Sequence, residues 1–318
     1  MLIHEIIQAI YPLQVIGNAD DLQSLDIRHL LTDSRQLGSE PEATLFFALK
    51  TQKNDGACYI LQLIERGVSC FVVGKDSLDT LDGLDDLDNL VILLVEDSLA
   101  ALQQLAAYKR SLYHGPVIGI TGSNGKTVVK EWLYQLLKDD YRITRSPKSY
   151  NSQIGVPLSV WQLSEQTELA IFEAGISEMG EMARLQPIIQ PTIGVITYIG
   201  HEHGENFPSL EVKRAEKMQL FADCDTIIED PTHQNIRTCA GVMRALGYDE
   251  DTIAQRILHQ THETILEINL SAMVDNVCYF RSLLPSTTML TGMVKAFAYG
   301  AGSVEVSRAL QDCGMVDY

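Results

Sequence analysis

Apolar residues in this chain fall into short runs separated by stretches with helical spacing. The runs at 45–49 (LFFAL), 70–74 (CFVVG) and 90–96 (LVILLVE) are rich in β-branched or bulky apolar residues and too short for helices, so they predict buried strands. Residues 59–67 (YILQLIERG) predict a helix between the first two, ending at Gly67. Asp97 precedes SLAALQQLAAYKR and is placed to cap that helix by accepting backbone N–H bonds. The acidic stretch 76–90 predicts a solvated loop or a frayed helix.

The alternation resumes at Pro116. Runs at 117–121 (VIGIT), 169–173 (LAIFE), 192–200 (TIGVITYIG) and 225–230 (DTIIED) predict strands, and 128–137 and 209–221 predict helices. The first of these helices places Val128, Val129, Trp132, Leu133, Leu136 and Leu137 on one face. Strands alternating with helices predict an α/β fold with a mainly parallel sheet, whose ligands sit at the carboxyl ends of strands. Thr121, Glu173 and His203 fall at such ends. From Thr261 onward, strands at 265–270 and 288–295 alternate with two helices, the first capped by Ser271, a β-α-β-α run.

Charge narrows the partners. Against 24 basic residues stand 42 acidic ones, a formal net charge of −18, which argues against bulk nucleic-acid binding. An anionic ligand must then be held by a local cluster of donors. The six cysteines are scattered, as for free thiols in a reducing compartment. The N-terminus shows no basic signal-peptide region, and no run reaches the ~18 apolar residues of a membrane span. The expectation is a soluble cytoplasmic protein.

Residues 119–127 read GITGSNGKT, between a predicted strand and a predicted helix. The common phosphate-loop spacing G-x-x-x-x-G-K-[ST] asks for glycine at position 120, where isoleucine stands. The chemistry of such a loop is nevertheless present. Gly122 and Gly125 admit a close backbone approach, Lys126 supplies a point charge, and the Thr127 hydroxyl suits Mg²⁺. Glu173 is either a metal-facing carboxylate or a solvated strand end. His201 and His203 in GHEHGENF suit ligand or orienting roles beside a phosphate loop. Lys217 on its own reads as an exposed lysine of a charged helix. Arg142, Arg145 and Lys148 form either a solvated charge run or an anion-facing loop.

TGSNGKT, SYNSQIGVPLS (149–159), FEAGISEMGEMARL (172–185) and ITYIGHEHGENFPSLEVKRAEK (196–217) resemble, in order and spacing, the Mur ligase family. The form TG-x-x-GK-T is that family's own. LLTDSR (30–35) and LFFALKTQKNDGA (45–57) resemble the branch that joins D-alanyl-D-alanine to UDP-N-acetylmuramoyl-tripeptide through an ATP-derived acyl phosphate, a step of peptidoglycan synthesis. The resemblance covers residues 1 to about 229. It implies that ATP is held by Thr121, Gly122, Ser123, Asn124, Gly125, Lys126 and Thr127, with Asn235 near the nucleotide. It implies Mg²⁺ on Thr127, Glu173, His203 and Lys217, the last as a carbamylated lysine, with Lys126, His203 and Lys217 catalytic. Asn151 and Ser152 fall at substrate-side positions, and Ser34, Arg35, Asn54 and Asp55 in the region that receives the UDP-sugar. Ala57-Cys58 departs from a Gly-His-type pair common in relatives.

HETILEINLSAMVDNVCYF and MVKAFAYGAGS (293–303) resemble the start of alanine racemase, which implies pyridoxal phosphate on Lys295 with Tyr299 in the adjacent loop, Lys295 being catalytic. Three domains are then expected: UDP-sugar binding at 1–112, central ATP binding at 113–258, and the first β-α-β-α of a TIM-type racemase barrel at 259–318. Strands after Asp230 and a ligase domain after Ile257 are missing from the pattern, so both parts are expected to be incomplete. The main expectation is an ATP-dependent amide ligase fused to a racemase segment. The alternative is an inactive remnant that binds nucleotide only.

Overall fold

The computed structural model describes residues 1–17, 25–51, 54–81, 90–200, 206–232, 234–261, 270–285, 287–292, 303–314 and 316 of the chain. These residues form two compact units, Met1–Ile253 and Ala254–Tyr318.

The first unit holds two five-stranded sheets. Sheet one contains β1 (Gln14–Gly17), β2 (His29–Leu31), β3 (Thr44–Ala48), β4 (Cys70–Gly74) and β5 (Val91–Val95), in the order β1-β5-β4-β3-β2. Its strands are parallel except β1, which runs antiparallel to β5 at the edge. Alternate side chains serve two cores. Leu45, Phe47, Val72 and Leu93 face the helices Ile3–Ile10 and Ser98–Ser111, while Phe46, Phe71, Val73 and Ile92 face the helix Ile60–Glu65. Burial on both faces explains why β3, β4 and β5 read as continuous apolar runs rather than as an alternation.

Sheet two contains β6 (Val117–Thr121), β7 (Ile143–Arg145), β8 (Leu169–Glu173), β9 (Ile193–Ile196) and β10 (Thr226–Glu229). Its order is β10-β9-β6-β8-β7 and every pair is parallel. β6 lies in the centre with β8 and β9 on either side, so the loops leaving three adjacent strands meet at one end. The short strands β1, β2 and β7 carry too little apolar signal to be read from the sequence. β7 lies inside the basic stretch YRITRSPKS.

The helix Ser98–Ser111 links the two sheets. The Asp97 carboxylate accepts from Ala100 N at 2.9 Å, and Ser98 Oγ donates to Ala48 O at 2.8 Å. Leu102 and Leu105 join the core of sheet one, and Ala106 joins that of sheet two. Trp161, which follows the helix Gly155–Val160, donates from its indole N–H to Arg28 O at 2.8 Å.

Several elements differ from expectation. The strand expected at 192–200 ends at Ile196, because residues 197–200 leave the sheet to meet the glycine-rich loop. The helix after that loop is rotated from its expected face. Val128 and Trp132 are exposed, whereas Lys130 is fully buried beside Val129, Leu133, Leu136 and Leu137. Its ammonium finds carbonyls and a carboxylate beneath the helix, which Val128 and Trp132 could not use.

The second unit also departs from the expected β-α-β-α run. Helices Leu270–Ser282 and Ser303–Asp312 pack on each other, and Ser271 lies inside the first rather than capping it. Residues 288–292 form no strand; they border no sheet edge among the described residues of this unit, and Met289 is exposed. The strand expected at 265–270 lies outside the described residues except for Leu270, which is helical. A start of a TIM-type barrel is therefore not seen among the described residues.

Candidate functional site

Gly122 follows β6 with φ +146°, and a Cβ there would stand 2.0 Å from Thr197 Oγ1. Only glycine lets the loop pass so close to the end of β9. The loop is sewn to that end by Ser123 N and Asn124 N, which donate to Tyr198 O at 2.7 and 3.3 Å. Gly125, φ +90°, then starts the helix Lys126–Leu137, and a Cβ on it would stand 2.7 Å from Asn235 Oδ1. Asn235 itself opens the helix Asn235–Ala245.

The Lys126 ammonium folds over the loop, donating to Gly122 O at 2.8 Å and Ser123 O at 3.0 Å. Lys217, buried on the helix Leu210–Met218, also donates to Gly122 O, at 3.2 Å. One turn earlier, buried Lys213 donates to Gly200 O at 2.6 Å. Between them Glu216 accepts from Gly180 N and Met182 N, at 2.8 and 3.2 Å, at the start of the helix Glu181–Ile189. A cavity of about 220 Å³ opens here, walled by Gly122, Ser123, Lys126, Asn151, Ser152, Lys213 and Lys217, among others.

Beside it, Thr127 Oγ1 donates to Glu173 Oε2 at 3.0 Å and lies 3.4 Å from Ser149 Oγ. Glu173 ends β8 and is wholly buried. Its Oε1 lies 2.9 Å from the Lys130 ammonium, an ion pair outside hydrogen-bond angles that leaves this oxygen with acceptor capacity to spare. A hydroxyl and a carboxylate oxygen at one loop mouth are the hard ligands that Mg²⁺ takes. Among the described residues, no three His, Cys, Asp or Glu side chains gather as a metal cluster. The other expected ligands are Lys217 and His203, and His203, with His201, lies outside the described residues. So do Lys295 and Tyr299.

Some expected residues take other places. The Thr121 hydroxyl is buried and donates to Ala174 O at 2.9 Å, supporting the loop rather than facing the cavity. Arg142 pairs with Glu168, and Arg145 pairs with Glu131 and lies 3.6 Å over the Tyr134 ring. Neither arginine walls the cavity. Sequence reading missed Lys130, Lys213 and Glu216. A usable signal existed for the two lysines, since each stands four residues from an expected lysine on one helix face.

A second cavity, about 390 Å³, lies on sheet one, with Ser34, Arg35, Asn54, Phe46 and Tyr59 in its wall. Asp33 holds the Arg35 guanidinium with two bonds of 2.9 and 2.7 Å, and that pairing lowers the Asp33 carboxyl to about 2. Asp55 is turned away from the cavity, accepting from Ala57 N at 2.9 Å and Ser77 Oγ at 2.7 Å.

Residues 120–272 match the Mur ligase middle domain. The UDP-N-acetylmuramoyl-tripeptide–D-alanyl-D-alanine ligase of Bacillus subtilis is 32% identical over 249 residues, 75% of this chain and 52% of that protein. Its counterpart from Borreliella burgdorferi is 33% identical over 208 residues, 65% of this chain and 45% of that protein. The chain thus spans about half the length of the curated relatives it matches. Among solved structures, MurF from Acinetobacter baumannii superposes with TM-score 0.70 at 20% identity, over 98% of this chain and 82% of that one, a likeness of fold. MurF from Thermotoga maritima in complex with ADP gives TM-score 0.54 at 28% identity, over 64% of this chain and 46% of that one.

Proposed function

We propose, from a central segment that matches the Mur ligase middle domain, that this chain carries the nucleotide and substrate sites of an ATP-dependent ligase joining D-alanyl-D-alanine to UDP-N-acetylmuramoyl-tripeptide. The observation that carries the reading is the meeting of Lys126 and Lys217 over one loop carbonyl, beside the Thr127–Glu173 pair, at the carboxyl ends of β6 and β8.

The chemistry asks for what these residues offer. A carboxylate acylates poorly. Its oxygen attacks the γ-phosphorus of ATP, the bond to ADP breaks, and an acyl phosphate forms. The neutral amine of D-alanyl-D-alanine then attacks the acyl carbon, the acyl C–O bond breaks, phosphate departs and the nitrogen releases a proton to solvent. Lys126 is placed to release the two loop carbonyls and take up phosphate oxygens. Gly125, Lys126 and Thr127 bring the positive end of a helix to the same point. Thr127 and Glu173 would hold Mg²⁺, which supplies charge neutralisation at the phosphates. An unmodified Lys217 ammonium is a donor only and cannot ligate a metal; a carbamate on its nitrogen would make it an acceptor. Asn151 and Ser152 wall the same cavity, and in this reading they meet the peptide substrate. In this reading the sheet-one cavity, lined by Ser34, Arg35 and Asn54, receives the UDP-sugar.

Calorimetry with ATP and Mg²⁺ tests the nucleotide site. The parent binds, and Lys126→Ala weakens binding at least tenfold, a loss of about 1.4 kcal/mol. Equal affinity in the two proteins would remove Lys126 from its assigned place. Phosphate release that requires both the tripeptide substrate and D-alanyl-D-alanine would separate a ligase from a protein that only binds nucleotide. The racemase reading of 259–318 rests on sequence resemblance alone, and cofactor absorbance after adding pyridoxal phosphate is its test.

A further inference from the structure

Lys130 is wholly buried on the helix after the phosphate loop, and no role falls to it in the reading above. A buried ammonium persists only where acceptors surround it. Four do so here. Ser146 O lies at 2.8 Å, Lys148 O also accepts, Glu173 Oε1 lies at 2.9 Å, and Glu131 Oε1 at 3.2 Å. Two are carbonyls of the segment leaving β7, and one is the carboxylate that ends β8.

That segment leads to the cavity wall. Ser146 N donates to Ile171 O and Ser146 Oγ accepts from Glu173 N, at 3.0 and 3.1 Å. Lys148 has φ +47°, a left-handed conformation that a lysine keeps only when its surroundings impose it. Its carbonyl is turned onto Lys130. Beyond it, Asn151 O accepts from Gly175 N at 2.8 Å, and Asn151 and Ser152 wall the cavity. On the other side, Glu173 presents Oε1 to Lys130 and Oε2 to Thr127. With an ammonium 2.9 Å from Oε1 and the Thr127 hydroxyl bonded to Oε2, the ion pair favours the carboxylate orientation that directs Oε2 at Thr127.

We propose that Lys130 is a positioning residue that joins the two halves of the site. One ammonium sets the orientation of Glu173 toward the metal side and holds the backbone that carries Asn151 and Ser152 on the substrate side. The metal half of this inference rests on the ligase reading; the hold on the 146–152 segment does not. The inference also explains why the helix turns Lys130 inward and leaves Val128 and Trp132 outside.

The test combines amide hydrogen exchange with ADP binding in Mg²⁺ and in EDTA. In Lys130→Met, amides of residues 146–153 exchange about tenfold faster or more, while the helix Leu210–Met218 is unchanged. The gain in ADP affinity from Mg²⁺ falls by about fivefold or more, and affinity in EDTA stays within about twofold of the parent. Equal losses with and without Mg²⁺ would make Lys130 a general support of the fold and overturn the proposal. So would unchanged exchange at 146–153. Should the single variant not fold, Lys130→Met with Glu173→Gln removes both buried charges. The proposal requires 146–153 to stay unprotected in that protein, and parent-like protection would sink it. A parent that binds no ADP would refute the nucleotide reading, while exchange still decides whether Lys130 holds the segment.

Discussion

Gly122 shows how much of the site depends on single positions. Its carbonyl receives both Lys126 and Lys217, and its α-carbon lies where Thr197 leaves no room for a side chain. Gly122→Ala is expected to destabilise the protein by roughly 2–4 kcal/mol, from overpacking plus a strained backbone, and to abolish nucleotide binding. Thr197→Ala in the same protein removes the contact at Oγ1 and recovers part of the stability, which urea melts with ATP titrations would show. The glycines and Lys126 were legible in the sequence because their chemistry is local: a strand, a tight turn and a helix start in nine residues. Lys130 was legible only as a cation one turn after Lys126, not as a buried one. Nothing in VVKEWLYQLL says that a carboxylate and two carbonyls wait under its third position; those come from the end of β8 and the segment after β7, more than a dozen residues away.

Among the elements, the helix Ser98–Ser111 follows its sequence most closely. Asp97 caps it as its position predicts, and Lys109 and Arg110 lie in its last turn, where cations suit the dipole. Asp97→Ala is expected to cost about 1 kcal/mol in urea denaturation with an unchanged slope. What the sequence could not say is that this helix is shared by two cores, since its small residues Ala101 and Ala106 serve different sheets. β1, β2 and β7 were equally hidden. Strands of three or four residues carry too few positions for a period to show, and their pairing partners define them. At 288–292, the described part of the strand expected at 288–295, the reverse holds: the segment has no sheet beside it among the described residues of its unit, and forms no strand.

Across the whole molecule, three buried or half-buried thiols bear on stability in alkali. Burial pushes Cys70 up to about 11 and Cys239 to about 12; burial, with Asp225 and Asp223 nearby, pushes Cys224 to about 12. A thiol whose folded value is raised stabilises the fold while it stays protonated in both states. That contribution is complete below the unfolded value of 9.0 and is lost as pH climbs from there to about 11–12. Melting temperature is therefore expected to fall between about pH 9 and 11, and less so in a Cys70→Ala, Cys239→Ala protein compared with its own value at pH 8. At neutral pH, exposed Cys58 should react first with a thiol reagent, Cys70 and Cys239 only on unfolding. By itself the sequence determined the alternation of strand and helix, the glycine-rich loop between β6 and the next helix, and the carboxylate at the end of β8, because apolar periodicity, glycine and capping residues act over a few positions. Only the tertiary structure decided which side of each helix is inside, which lysines are buried, and that Thr127, Glu173, Lys126 and Lys217 share one place, because a parallel sheet gathers strand ends that are far apart along the chain.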